Sequence, residues 1–288
     1  MDAQRDFVLA SDLAERFRQD LSNVHRGRVL TEFLGQAEVH LWVVPLVISA
    51  EESSYFKSIL SLDEQKRAGR FRKMRDTERY VAARGSLRSL LGAYLTIEPD
   101  RLQFAYDTFG KPRLAGEEPL TSMRFSVSHA DDLALFGFVR GHEMGIDVER
   151  IRPDIDVEDL AARYFSPNEF KKLRSLPADQ QREAFYCGWT RKEAYLKGRG
   201  EGLSVPLECV EVSLTPGEPA MILKVSGDRS VSRRWMVQHL SPAPGYIGAA
   251  AVEGRDITFR CFRCEPVFSA VDKAPVNERL SLRRGFLM

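Results

Sequence analysis

Phe165-Ser-Pro-Asn-Glu169 is the clearest helix start in the chain. The Ser166 side chain can accept from the backbone at 169 while Glu169 reaches back to the backbone at 166. Pro167 stands in the first turn, where its missing N–H is not needed. A second helix follows from Gln180 to about Lys197 and stops at Gly198, Gly200 and Gly202. The same grammar occurs 105 residues earlier, where Ser61, Glu64, Tyr80 and Leu91 answer to Ser166, Glu169, Phe185 and Leu196. In each case a capping box opens a helical region that leads into strands. The expected fold class is therefore α+β, built as two pseudo-duplicated α+β halves with the active site between them. The halves cover 1–140 and 141–269, with a polar, partly helical leader at 1–36 and a patternless tail at 270–288.

Strands account for most of what lies between the helices. Glu38-Val-His-Leu-Trp-Val-Val-Pro-Leu46 alternates and carries its proline near the end. Leu102–Tyr106, Arg124–Ser128, Leu133–Val139 and Met144–Glu149 are short runs separated by Gly, Pro and Asp turns. From Leu62 to Tyr94 the apolar residues recur at helical spacing, as one or two helices, and Val157–Phe165 is helical as well. Five further strands are expected at Leu207–Leu214, Met221–Val225, Trp235–Leu240, Tyr246–Val252 and Ile257–Phe262.

Composition narrows the function. With 42 Lys+Arg against 41 Asp+Glu, the 288-residue chain lacks the imbalance of a general nucleic-acid binder or polybasic membrane protein. Its longest apolar run, Val39–Ile48, contains His40 and Pro45 and is far short of the roughly 20 residues that span a bilayer. Charges near the N-terminus leave no secretory apolar core, so a cytoplasmic location without membrane attachment is expected. Four cysteines are too few for a disulfide scaffold. Cys261 and Cys264 have half of a zinc spacing, with no second pair to complete it.

Several residues carry chemistry. Asp147 and Glu149 are two apart on a strand, so both carboxylates share one face. Trp189, Glu193 and Lys197 repeat every four residues and form one helical stripe. Three carboxylates and a lysine are what a Mg²⁺-dependent reaction at phosphate requires: hard oxygen ligands and a point positive charge. A solvated strand face and an ordinary helical ion pair would give the same letters. His129 ends a strand beside Asp131 and Asp132, and Lys111 stands in a turn between Gly110 and Pro112. Between Ser61 and Leu90 nine basic residues face four acidic ones, a local excess that suits an anion or simply a wet helix. Gly198-Arg-Gly-Glu-Gly202 follows a helix, whereas a dinucleotide-binding loop would open one, so that reading is rejected.

Taken in order, Phe109-Gly-Lys-Pro112, Phe125-Ser-Val-Ser-His129, Gly145-Ile-Asp-Val-Glu149 and Trp189-Thr-Arg-Lys-Glu-Ala-Tyr-Leu-Lys197 with its glycines resemble the signature blocks of the 4′-phosphopantetheinyl transferase superfamily. The likeness is to the long, single-chain, surfactin-synthetase-activating type, and the blocks span about Leu62 to Leu207. The resemblance implies that 4′-phosphopantetheine passes from coenzyme A, a co-substrate, to a serine of an apo acyl, peptidyl or aryl carrier protein, with release of 3′,5′-adenosine bisphosphate. It implies Mg²⁺ on Asp147, Glu149 and Glu193, and catalytic roles for Glu193 and Lys197. It further implies Glu169 as a base toward the carrier serine, and coenzyme A contacts at Lys111, His129, Arg79 and Arg88. A monomer is expected, since both halves of the site lie in one chain. Two other readings remain open at this point: a Mg²⁺-dependent nuclease or phosphodiesterase, and a non-catalytic module that binds coenzyme A or a carrier protein.

Overall fold

The computed structural model describes residues 34–117, 120–200 and 205–264. The leader reading for 1–33, the tail at 270–288, and Glu201 and Gly202 of the glycine-rich stretch lie outside them.

The chain runs through the same series of elements twice. The first pass is β1 (Glu38–Pro45), α1 (Ala50–Ile59), α2 (Leu62–Ala68), α3 (Met74–Leu95), the short hairpin β2 (Phe104–Tyr106) and β3 (Pro112–Leu114), then β4 (Met123–Ala130) and β5 (Leu133–Arg140). The second is β6 (Met144–Arg150), α4 (Val157–Tyr164), α5 (Pro167–Arg174), α6 (Ala178–Arg199), the hairpin β7 (Val210–Val212) and β8 (Ile222–Val225), then β9 (Trp235–Leu240) and β10 (Tyr246–Glu253). Main-sheet order repeats too, as β1-β5-β4 in the first half and β6-β10-β9 in the second. The two long helices have 22 residues each and lie 104 positions apart, while the capping boxes before them lie 105 apart. The fold class read from the sequence is the one found.

β11 (Thr258–Arg263) is additional, and it leaves its own half to pair parallel with β1. The chain division near 140 is therefore crossed by one strand of the first sheet. Two local readings also change. Helix α1 is announced by a third capping box, in which Ser49 Oγ accepts from Glu52 N at 3.1 Å and Glu52 Oε2 accepts from Ser49 N at 2.8 Å. The run from Leu207 starts as a 3-10 turn, Leu207–Cys209, and only Val210–Val212 is strand.

Alternation assigns the strand faces. Val39, Leu41 and Val43 of β1 join Ile146 and Val148 of β6 and Ala250 and Val252 of β10 in a core between the two sheets. The opposite face of β1, with Trp42 and Val44, meets Leu87, Leu90, Leu91 and Tyr94 of α3. On β6 the residues out of phase with that central core are Gly145, Asp147 and Glu149, and this face meets α6. Gly145 makes the approach close: a Cβ there would lie 2.2 Å from both Ala194 O and Gly198 N of α6, so only glycine fits.

β4 and β6 are the edges at which the two sheets meet. An open edge leaves N–H groups in need of acceptors. Here serine hydroxyls supply them: Ile146 N donates to Ser126 Oγ at 3.1 Å and Val148 N to Ser128 Oγ at 3.3 Å.

Candidate active site

The same edge places the charged residues. Asp147 is almost fully buried, at 2 % exposure. Its Oδ1 accepts from Lys197 Nζ at 2.5 Å and from Ser128 Oγ at 3.0 Å, whereas its Oδ2 is buried without a partner. Lys197 Nζ also donates to Ser128 Oγ at 3.2 Å. Glu149 and Glu193 belong to the same electrostatic cluster. Burial, and then the Asp147 charge, push Glu149 up to about 7, and the same two causes in the same order raise Glu193. Burial is the larger cause for both, and the surplus of three acids over one lysine adds to it.

That surplus, with an orphaned buried carboxylate oxygen, fits a divalent cation. Among the described residues no three His, Cys, Asp or Glu side chains are already gathered around a metal position, and Lys197 sits on Asp147. The donor set is complete but not closed.

Ser128 is followed by His129, and this dipeptide links the acid cluster to a cavity of about 520 Å³ lined by Arg67, Phe71, Arg79, Arg84, Tyr106 and His129, among others. Partial burial, then the charges of Lys197 and Arg79, lower the pKa of His129, although its outer face reaches solvent. Arg79 is held by Asp132, with Nη2 2.8 Å from Oδ1. Arg67 lies over the Tyr80 ring and Arg84 over the Phe104 ring. Cationic forks interleaved with aromatic rings suit a ligand that is both anionic and aromatic. A smaller neighbouring cavity, about 220 Å³, is lined by Lys197 together with Phe109, Phe125, Val127 and Leu196.

Comparison with known proteins identifies the family. The sequence pattern of the 4′-phosphopantetheinyl transferase superfamily matches residues 143–251, and that of the 4′-phosphopantetheinyl transferase N-terminal region matches 48–137, one pattern for each half. The 4′-phosphopantetheinyl transferase HetI of a Nostoc species is 40 % identical over 217 residues, which cover 75 % of this chain and 88 % of that protein. The chain belongs to the 4′-phosphopantetheinyl transferase superfamily. Sfp of Bacillus subtilis, also a 4′-phosphopantetheinyl transferase, is 30 % identical over 167 residues, 58 % of this chain and 72 % of its own. The L-aminoadipate-semialdehyde dehydrogenase-phosphopantetheinyl transferase of Xenopus laevis is 29 % identical over 162 residues, 54 % of each chain. The protein is a phosphopantetheinyl transferase, an enzyme that moves phosphopantetheine from coenzyme A to carrier proteins.

Three residues that the resemblance assigned to this transferase's chemistry make strong internal bonds, although one of them, Lys111, also lines the smaller cavity. Arg88 is 1 % exposed: its Nε donates to Glu64 Oε2 at 2.6 Å and its Nη1 to the carbonyls of Pro99 and Leu102 at 2.8 and 3.0 Å. Burial inside the first half keeps it from a nucleotide phosphate. Glu169 is 3 % exposed, and its carboxylate is bonded to Lys192, Ser166 and Val212. The Lys111 ammonium donates to Glu143 Oε2, Met144 O and Gly198 O at 3.2, 3.2 and 2.9 Å, and its three donors tie the β2–β3 turn to the second half. Glu143 gathers Lys111, Arg113 and Arg124; against the burial that would raise it, Arg113 and Lys111 hold it down at about 2.

Sequence reasoning missed Ser128, Arg67, Arg84, Phe71 and Tyr106. Ser128 had a signal in its place beside His129, and the two arginines lay within the basic segment. Tyr106 had none, because only the hairpin's position against α3 brings it to the cavity.

Proposed function

We propose that this transferase is Mg²⁺-dependent, binds coenzyme A between its halves and releases 3′,5′-adenosine bisphosphate. The observation that carries the reading is the Ser128-His129 step. Ser128 bonds the Asp147–Lys197 pair while His129 lines the basic, aromatic cavity, so the acid cluster and an anion-and-ring cavity are one residue apart. Arg79 and His129 would face the nucleotide phosphates, with Arg67 and Arg84 beside them, and the smaller cavity next to Lys197 suits the less polar pantetheine arm.

Asp147, Glu149 and Glu193 would hold the cation, whose chemistry when bound is neutralisation of pyrophosphate charge. Glu193 accepts the proton of the carrier serine hydroxyl. The serine oxygen bonds to the β-phosphorus of coenzyme A, and the bond from that phosphorus to the bridging oxygen breaks. Lys197 gives a proton to the departing phosphate. Most of the catalysis is positioning and charge complementarity, as in other phosphoryl transfers.

We place the enzyme in the cytoplasm as a monomer, without a nucleic-acid or membrane partner. Its charges balance, its four cysteines are free thiols, and no described helix is long and apolar enough to cross a membrane. Incubation with coenzyme A, Mg²⁺ and an apo carrier protein, followed by intact mass measurement of the carrier, tests the reaction. Gain of one phosphopantetheine that EDTA abolishes is expected, and full transfer in EDTA would overturn the metal requirement.

A further inference from the structure

Glu169 and Lys192 form a closed unit beneath the site. Lys192 is fully buried, and its ammonium donates to Glu169 Oε2 at 2.7 Å, Leu207 O at 2.9 Å and Val210 O at 2.5 Å. The Glu169 carboxylate also accepts from Ser166 N at 2.8 Å and Val212 N at 2.9 Å. One ion pair thus joins α6, the start of α5 and the Leu207–Val212 segment. On another side α6 lies against Gly145 of β6, which bears Asp147 and Glu149.

The first half contains the same device. Glu64 pairs with Arg88, which donates onward to Pro99 O and Leu102 O. Glu64 and Glu169 are 105 apart, Arg88 and Lys192 are 104 apart, and Leu102 and Leu207 are 105 apart. On β1 the positions 105 before Asp147 and Glu149 are Trp42 and Val44, and the carboxylate that shares their face, Glu38, pairs with His40 and Arg260, so that half has no acid cluster to match the one beside Glu169. A feature kept where there is no reaction is a feature of the architecture.

We propose that Glu169 and Lys192 are positioning residues: the pair locks α6 against α5 and the 207–212 segment, and so sets Glu193 and Lys197 opposite Asp147 and Glu149. This rests on the reading of Glu193 and Lys197 given above. Glu169→Gln leaves a buried ammonium without its counter-charge, and an ångström of displacement in α6 is enough for about a tenfold to hundredfold fall in kcat. The KM for coenzyme A changes less than kcat, because the larger cavity has no wall on α6 and only the smaller one does, through Leu196 and Lys197.

The decisive variant is Glu169→Gln with Lys192→Met, a neutral pair of similar volume. If the pair only positions, the double variant returns kcat to within about threefold of wild type, and amide exchange across 178–199, faster in the single variant, returns toward normal. Removing a lysine cannot restore a missing base. A folded double variant as slow as Glu169→Gln would overturn the proposal, as would a double variant that does not fold. Glu193→Gln is assayed alongside: if it transfers at the full rate, the reading of the site itself fails. If it is inactive and the double variant is unrecovered, the positioning pair alone fails.

Discussion

The two halves share a series of elements and a sheet order, yet their strand–helix seams are made of opposite materials. In the first half the seam between β1 and α3 is closed by rings: Tyr94 Oη lies 2.7 Å from His40 Nδ1 and accepts from Trp42 Nε1 at 2.9 Å, with Phe138 and Phe262 packed around them. In the second half the matching seam between β6 and α6 holds Asp147, Glu149, Glu193 and Lys197. At the 104-residue spacing of the long helices, Glu193 corresponds to Ser89 and Lys197 to Ala93. One copy of the plan has become a sealed support and the other an open charged face. A duplicated scaffold can therefore separate stability from chemistry, because each seam is adjusted without disturbing the other.

The sharpest way to break this contrast is at the charged seam. Asp147→Ala removes the acceptor of Lys197 and a carboxylate of the cluster. It is expected to lower carrier modification on the order of a hundredfold or more while unfolding in denaturant stays within about 1 kcal/mol of wild type, since repulsion with Glu149 and Glu193 is relieved. A variant that lost several kcal/mol of stability but kept its turnover would reverse the roles assigned to the two halves.

Arg88→Ala is the complementary test in the support half. It leaves Glu64 buried with Arg84 as its remaining cation, and a loss of about 3 kcal/mol is expected in urea unfolding. The KM for coenzyme A measured well below the transition should be unchanged. A large rise in that KM would return Arg88 to the nucleotide site.

His40 extends the comparison to acid. Burial holds its pKa at about 4, outweighing the nearby Glu38. Above pH 6.5 the ring is neutral whether the chain is folded or not. As pH falls from 6.5 to about 4 only the unfolded chain gains the proton, so stability declines across that window by up to about 3 kcal/mol and this contribution is flat below it. His40→Gln should flatten the profile between pH 6.5 and 4 in chemical denaturation, and an unaltered slope would mean that other groups govern acid stability.

The smallest effect is expected at the cavity rim. Arg75 pairs with Asp132 at 3.1 Å with more than half of its side chain exposed. Arg75→Ala should change stability by well under ~1 kcal/mol. Arg79→Ala, at the partly buried neighbour facing the cavity, should instead raise the KM for coenzyme A several-fold while leaving kcat similar. Equal effects from the two would show that the cavity does not discriminate between them.

Much of this plan is readable without coordinates. Capping boxes at Ser61 and Ser166, the alternation in the main strands, and the shared face of Asp147 and Glu149 are local signals, set by side chains within a few residues of one another. The class, the duplication and the acid–lysine set follow from those signals and from the resemblance they carry. Tertiary structure decided the rest. Only packing shows that β11 crosses to the first sheet, that Ser126 and Ser128 take the place of ladder acceptors at the β4–β6 edge, and that the Arg88, Glu169 and Lys111 side chains are committed to internal partners. A charged letter in a sequence is the same whether its side chain meets solvent, substrate or a buried counter-charge. Which of these it meets depends chiefly on residues 11 to 87 positions away, and those distances are closed only when the sheets and long helices pack.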